Sequence, residues 1–212
     1  YKGGFFHDLV DRSAKRKMKG EPDKLEQLLD EVESTWNTRK YIGISRHREE
    51  EDKKTVAQIV EEYHKWDEQN PNTIVGAEIE FNIQIGRYTV NGKIDRVEQN
   101  PDGDYVIIDY KTGGKNKEIE NLNESLQLNI YAMALEVNKK FGKLPKLVSY
   151  FYPEKEGQQI FSYEVTQADI DNTKRTLERY LDLIDNGEFG ADPNMKKCGW
   201  CDYKDLCEES QA

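Results

Sequence analysis

The sequence has 212 residues, enough for one sizeable domain or two small ones, and no apolar run approaches the roughly 18–20 residues of a membrane-spanning helix. Hydrophobic residues make up 36% and charged residues 34%, so a core is affordable beneath a heavily charged surface. The formal net charge of −10 argues against a binder built on a basic footprint, but not against an enzyme that holds divalent cations on carboxylates.

The first 70 residues read as helical. "FFHDLVDRSAKRK" sets Phe6, Leu9 and Val10 on one side, and its basic run "RSAKRKMK" (12–19) reads as a solvated helix face. "PDKLEQLLDEVESTW" spaces Leu25, Leu28, Leu29, Val32 and Trp36 helically, and "TVAQIVEEYHKW" does the same with Val56, Ile59, Val60 and Tyr63. Between them, "RHREEEDKK" (46–54) is expected to be an exposed, mobile link.

The pattern then changes period. "AEIEFNIQIG" (77–86) alternates, with Ile79, Phe81, Ile83 and Ile85 on one face, as in a half-buried strand. "RYTVNGKIDRVEQ" (87–99) is a second strand, "NPDG" (100–103) a turn, and "DYVIIDYKT" a third strand, so residues 87–112 form a hairpin. "NLNESLQLNIYAMALEVNKKFG" predicts a helix over 121–142, "KLVSYFYP" and "QIFSYEV" two short strands, and "TQADIDNTKRTLERYLDLIDNG" a helix over 166–187. Thr166 and Asp169 form a capping-box pair, and Asn186-Gly187 is a stop signal. The order is that of a mixed α/β or α+β fold. We expect one domain: a helical N-terminal part (1–70), a sheet-and-helix core (77–187) and a cysteine-bearing tail (188–212).

The third strand carries the chemistry. Side chains alternate along a strand, so Asp109 and Lys111 share a face with Tyr105 and Ile107, while Val106, Ile108 and Tyr110 take the other. Two apolar faces make this a central strand. If Gln99 pairs with Asp104 or Tyr105, Asp95 falls opposite Ile108 or Asp109; the second register puts two carboxylates on one face. Such a pair repels and loses hydration, and a divalent cation with its preference for oxygen would neutralise both. The plainer alternative is a salt bridge between Asp109 or Asp95 and Lys111 or Arg96.

"GFFH", "AEIEF", "GKIDRVE", "IIDYKTG" and "LQLNIYA" together resemble the PD-(D/E)xK nuclease superfamily, in the RecB-like branch that occurs in helicase–nucleases and CRISPR-associated exonucleases. The resemblance implies a restriction-endonuclease-like core with a central mixed sheet flanked by helices. It implies Mg²⁺ or Mn²⁺ held by His7, Asp95, Asp109 and the main-chain carbonyl of Tyr110. Lys111 is implied as the catalytic lysine and Glu78 as an acidic catalytic residue, with Glu80 the alternative. Gln127 and Tyr131 match a Q-x-x-x-Y helix that faces DNA; at i and i+4 they share one face. The implied partners are DNA, as single strands or duplex ends, and a helicase domain or subunit.

Three cysteines lie in the last 15 residues, an odd and clustered set unlike a disulfide framework, and fit a reducing, cytoplasmic setting. Cys198-x2-Cys201-x5-Cys207 has metal-ligand spacing but leaves a tetrahedral site one donor short. In the RecB-like branch three such cysteines join a fourth, before the His motif, around a 4Fe–4S cluster. No cysteine precedes His7, so that ligand is expected from upstream in a longer protein, with zinc and a nearby histidine or carboxylate as the fallback. The start at Tyr1 without Met also reads as a domain cut from a longer chain.

Other chemistries fail on residues. Lys111-Thr112-Gly113 is a K-T-G, but no Ser has a Lys three positions on, which excludes a β-lactamase-like acyl enzyme. "GGKN" lacks the P-loop frame. A carboxylate-pair glycosidase leaves Lys111 and His7 unexplained. A catalytically inactive nuclease-like DNA-binding or scaffolding module is the remaining alternative, and the intact Asp95, Asp109 and Lys111 argue against it.

Overall fold

The structure is a computed structural model and describes residues 1–113, 121–188 and 190–211. Internal contacts divide the chain into two units, 1–174 and 175–212.

The first unit opens with helices α1 (Lys2–Met18), α2 (Leu25–Thr35) and α3 (Arg46–Gln69). Phe5, Phe6, Leu9 and Val10 of α1 meet Leu28 and Val32 of α2 and Val56, Ile59, Val60 and Tyr63 of α3 in one core. Burying an apolar side chain of this kind contributes about 1.5–3 kcal/mol, which is what holds the three amphipathic helices together. The segment 46–54 is the start of α3 rather than a mobile link. The Ser45 hydroxyl accepts from Arg48 N, and His47–Glu51 and Arg48–Asp52 pair one turn apart, so local capping and i,i+4 pairs carry the helix through an apolar-poor stretch. The basic run of α1 is solvated at Lys15, Met18 and Lys19, and its cations from Arg12 to Lys17 are paired. Arg12 pairs with Glu31, Lys15 with Asp11, Arg16 with Asp23 and Glu31, and Lys17 with Asp67.

Five strands follow in sheet order β1-β2-β3-β4-β5: β1 (Thr73–Ile85), β2 (Tyr88–Gln99), β3 (Tyr105–Tyr110), β4 (Leu147–Phe151) and β5 (Ile160–Glu164). All neighbours are antiparallel except β3 and β4, which are parallel, so the sheet is mixed and β3 is central. The Asn100–Gly103 turn is closed by Gly103 N–H donating to Asn100 O, with Gly103 at φ +84, and it sets Gln99 opposite Tyr105. That is the second of the two registers open to the hairpin. Val106, Ile108, Tyr110 and Phe151 pack on the three-helix core. The other face is covered by α4 (Leu126–Val137), a helix buried nearly all round. This helix is shorter than the 121–142 expected. The Ser125 hydroxyl caps it at Leu128 N, and beyond Val137 the Asn138 side chain accepts from Lys140 N, turning the chain out of the helix.

On the helical side, Arg96 is completely buried, a role its place beside Asp95 did not suggest. Its guanidinium reaches Glu98 and Asp67 at 2.6 Å each and lies 4.7 Å from the Trp66 ring. Glu98 also accepts from Asn70 and Asn72, and Asp67 from Lys17. Each buried charge is thus paired and hydrogen-bonded, the condition under which burial is tolerable.

Helix α5 (Gln167–Asp185) begins with the expected box: Thr166 N–H donates to Asp169 Oδ2 and Asp169 N–H to Thr166 Oγ1. The second unit contains helix α6 (Met195–Trp200), capped by the Asn194 side chain accepting from Lys197 N. No helix among the described residues is long and apolar enough to cross a membrane.

Candidate active site

The register Arg96↔Ile108 continues one step to place Asp95 opposite Asp109. There the ladder opens, and Asp95 Oδ2 replaces a main-chain acceptor by taking the Tyr110 N–H at 2.9 Å. On the other side of β2, the pairs Ala77↔Arg96 and Ile79↔Ile94 bracket Glu78 against Asp95. Glu78 has φ +50, the left-handed region that costs a non-glycine residue on the order of 1–3 kcal/mol, and no other non-glycine among the described residues has positive φ. Its carboxylate is held by Lys93 at 2.5 Å.

Helix α1 brings in His7, next to buried Phe6 and edge-on to Tyr110. His7 Nδ1 lies 3.4 Å from Asp95 Oδ2. His7, Glu78 and Asp95 each offer a ligand atom within 4.8 Å of the others, and no other such group occurs among the described residues. Asp109 lies outside this group. Glu80, the alternative to Glu78, is exposed and paired across the strands with Lys93.

Asp109 is 3% exposed. Its Oδ2 has no well-directed hydrogen bond, although Lys111 Nζ lies 3.0 Å away. Burial, and then the Asp95 carboxylate, raise the Asp109 carboxyl to about 6 against the lowering pull of Lys111 and His7. Burial alone would lower the His7 imidazole, but the hydrogen bond and charge of Asp95, with Asp109 and Glu78, raise it above its ordinary value.

Lys111 follows β3, its N–H donating to Phe151 O, and its ammonium is fixed from α4 and β4. It donates to Gln127 Oε1 at 2.6 Å and sits 4.6 Å from the Tyr150 ring centre. Gln127 Nε2 in turn donates to the Tyr131 hydroxyl at 2.9 Å. Burial raises the Tyr131 phenol, so it stays protonated. Gln127 therefore supports the lysine directly, and Tyr131 supports it through Gln127. Two participants escaped the sequence. Tyr150 stands beside Asp109 only through the parallel β3–β4 register, which no local pattern encodes, and Lys93 was one lysine among many.

The cysteines do not assemble a comparable site. Cys198 is buried in α6, Cys201 exposed and Cys207 half-buried, all as free thiols. They belong to no group of three ligand atoms within 4.8 Å of one another among the described residues.

The asymmetric constellation fits a divalent cation. Oxygen and imidazole donors converge, a buried carboxylate oxygen lacks a directed partner, and the Asp95 carboxylate adds to the proton affinity of Asp109. No curated protein matches the chain. Among solved structures, the protein named SSO0001 is 14% identical with a TM-score of 0.42, covering 89% of this chain and 96% of its own. A candidate exonuclease from Eubacterium rectale is 13% identical with a TM-score of 0.45, covering 97% of this chain and 74% of its own. The family model for the PD-(D/E)XK nuclease superfamily matches residues 2–208, which span the helical layer, the sheet and the site, and the chain belongs to that superfamily.

Proposed function

We propose that this chain is a metal-dependent deoxyribonuclease, acting as an exonuclease in DNA recombination, repair or processing as part of a cytoplasmic helicase–nuclease. The observation that carries the reading is the meeting of Asp95 and Asp109 at the open end of the β2–β3 ladder, with His7 and Glu78 on one side and Lys111 on the other. The RecB-like order of the motifs supports the exonuclease and helicase context.

In this reading His7, Asp95, Asp109 and the Tyr110 carbonyl hold Mg²⁺ or Mn²⁺, with Glu78 beside them. The ion, when bound, supplies Lewis acidity to the phosphoryl group and makes a bound water more acidic. The residues do the rest by position. The Tyr110 N–H fixes one oxygen of Asp95. Lys111, held by Gln127 and Tyr150, keeps its charge at the edge of the carboxylate pair, where it can orient the attacking water or stabilise charge on the phosphoryl oxygens. Gln127 and Tyr131 line the same edge toward the DNA. Water adds to phosphorus in line as the bond to the 3′-oxygen breaks, leaving a 5′-phosphate and a 3′-hydroxyl.

The test is cleavage of single- and double-stranded DNA with Mg²⁺ or Mn²⁺, beside Asp109→Ala and Lys111→Ala. Both substitutions should reduce cleavage by at least about 10²-fold, the scale of losing a charge-stabilising group. Cleavage in chelator, or full activity in both variants, refutes the mechanism.

A further inference from the structure

Within this acidic chain, "NTRKYIGISRHR" (37–48) contains no acid and carries Arg39, Lys40, Arg46 and Arg48. Its cations differ from those of α1, which are consumed by ion pairs. Arg39, Lys40 and Arg46 are exposed and have no ion-pair partner among the described residues, while Arg48 reaches Asp52 at 3.4 Å. Arg46 and Arg48 also occupy the first turn of α3, the positive end of a 24-residue helix, where the one acid of the turn, Glu49, accepts from Trp36 Nε1. Between the basic pairs the chain turns at Gly43, φ +84, leaving Ile42 83% and Ile44 49% exposed.

This segment is anchored, not loose. Tyr41 is buried, donates to Asp52, stacks on Trp36 and meets Tyr1 edge-on with ring centres 5.5 Å apart. Asn37 N–H donates to the Tyr1 hydroxyl. Tyr1 begins the helix that carries His7, about 9 Å further along at 1.5 Å per residue. The same first turn abuts the other side of the site: a Cβ on Gly3 would stand 2.7 Å from Thr112 Oγ1, next to Lys111.

We propose that residues 38–48 form a binding site for the phosphate backbone of a single DNA strand leading to the active site, with Arg39, Lys40 and Arg46 on phosphates and Ile42 against a base. Three exposed cations without an ion-pair partner among the described residues are matched by a polyanion, and an exposed aliphatic tip suits apolar contact with an unstacked base, which a duplex keeps inside. The inference rests on the nuclease reading for its direction, but not for its test.

The test uses the full chain with Arg39→Ala, Lys40→Ala and Arg46→Ala combined. Binding of a labelled single-stranded oligonucleotide is measured in chelator across a salt series. Losing three phosphate contacts should weaken binding by roughly tenfold or more at 0.1 M salt and flatten the log–log salt slope by about 2, at about 0.7 per contact. The thermal transition should not move, and hydrolysis of a small activated phosphodiester that cannot reach the patch should be unchanged. An unaltered salt slope, or an equal loss for blunt duplex and single strand, overturns the proposal. If the wild-type chain hydrolyses no phosphodiester yet the slope changes as stated, the strand site stands and the nuclease reading falls.

Discussion

Replacing Asp109 with Asn should stabilise the metal-free protein while abolishing cleavage. The Asp109 carboxyl is raised to about 6 from an ordinary 3.8, chiefly by burial and then by Asp95. Between those two values the folded chain holds a proton that the unfolded chain has released. Stability must therefore fall as pH rises through this window, and the full cost is present above it. A difference of about 2 units is worth about 3 kcal/mol at 1.36 kcal/mol per unit. Asn keeps the shape and removes the charge, but its amide N–H groups must find acceptors, so the gain should be about 1–3 kcal/mol. Urea denaturation in chelator at pH 8 and pH 4 measures it: the variant should be the more stable at pH 8, with the advantage gone by pH 4. A divalent cation should reverse the order, because a ligand at 1,000 times its Kd adds about 4.1 kcal/mol to the wild type alone. A variant no more stable than wild type at pH 8, or a gain of the same size at pH 4, would refute the view of Asp109 as a carboxylate held against its own solvation.

Arg96→Ala should cost about 3–5 kcal/mol by urea denaturation, because Glu98 and Asp67 would lose the cation that balances them in the core. Glu78→Gly should gain roughly 1 kcal/mol by relieving the positive φ while raising the cation concentration needed for half-maximal cleavage. Gly3→Val should lower cleavage more than stability, since the new side chain meets Thr112 beside Lys111; comparing kcat with the urea midpoint separates the two.

Local chemistry was the legible part of this fold. The "NPDG" turn limits the hairpin to two registers, strand alternation puts Asp109 and Lys111 on one face, and Thr166 with Asp169 marks the start that α5 has. What lay outside local pattern was misread. Arg96 stood in the sequence as a partner for Asp95 or Asp109, yet alternation turns it to the opposite face, where Glu98, Asp67 and Trp66 enclose it. The charged start of α3 looked like a linker because it lacks apolar spacing, and its stability comes from a cap and paired charges instead. Tyr150 and Glu78 take their places only once distant strands align: the parallel β3–β4 crossover for one, the strained step opposite Asp95 for the other.

That strained step has a second effect. β1 is a sheet edge of 13 residues with alternating isoleucines, the kind of strand that invites a neighbouring molecule to pair along it. The shift between Ile74 and Gly76 and the left-handed Glu78 break its row of donors and acceptors in two places, and Glu78 and Glu80 add charge there. The residue that would help hold a cation thereby also guards against aggregation. A relaxed Glu78→Thr strand would gain regularity and lose solubility together.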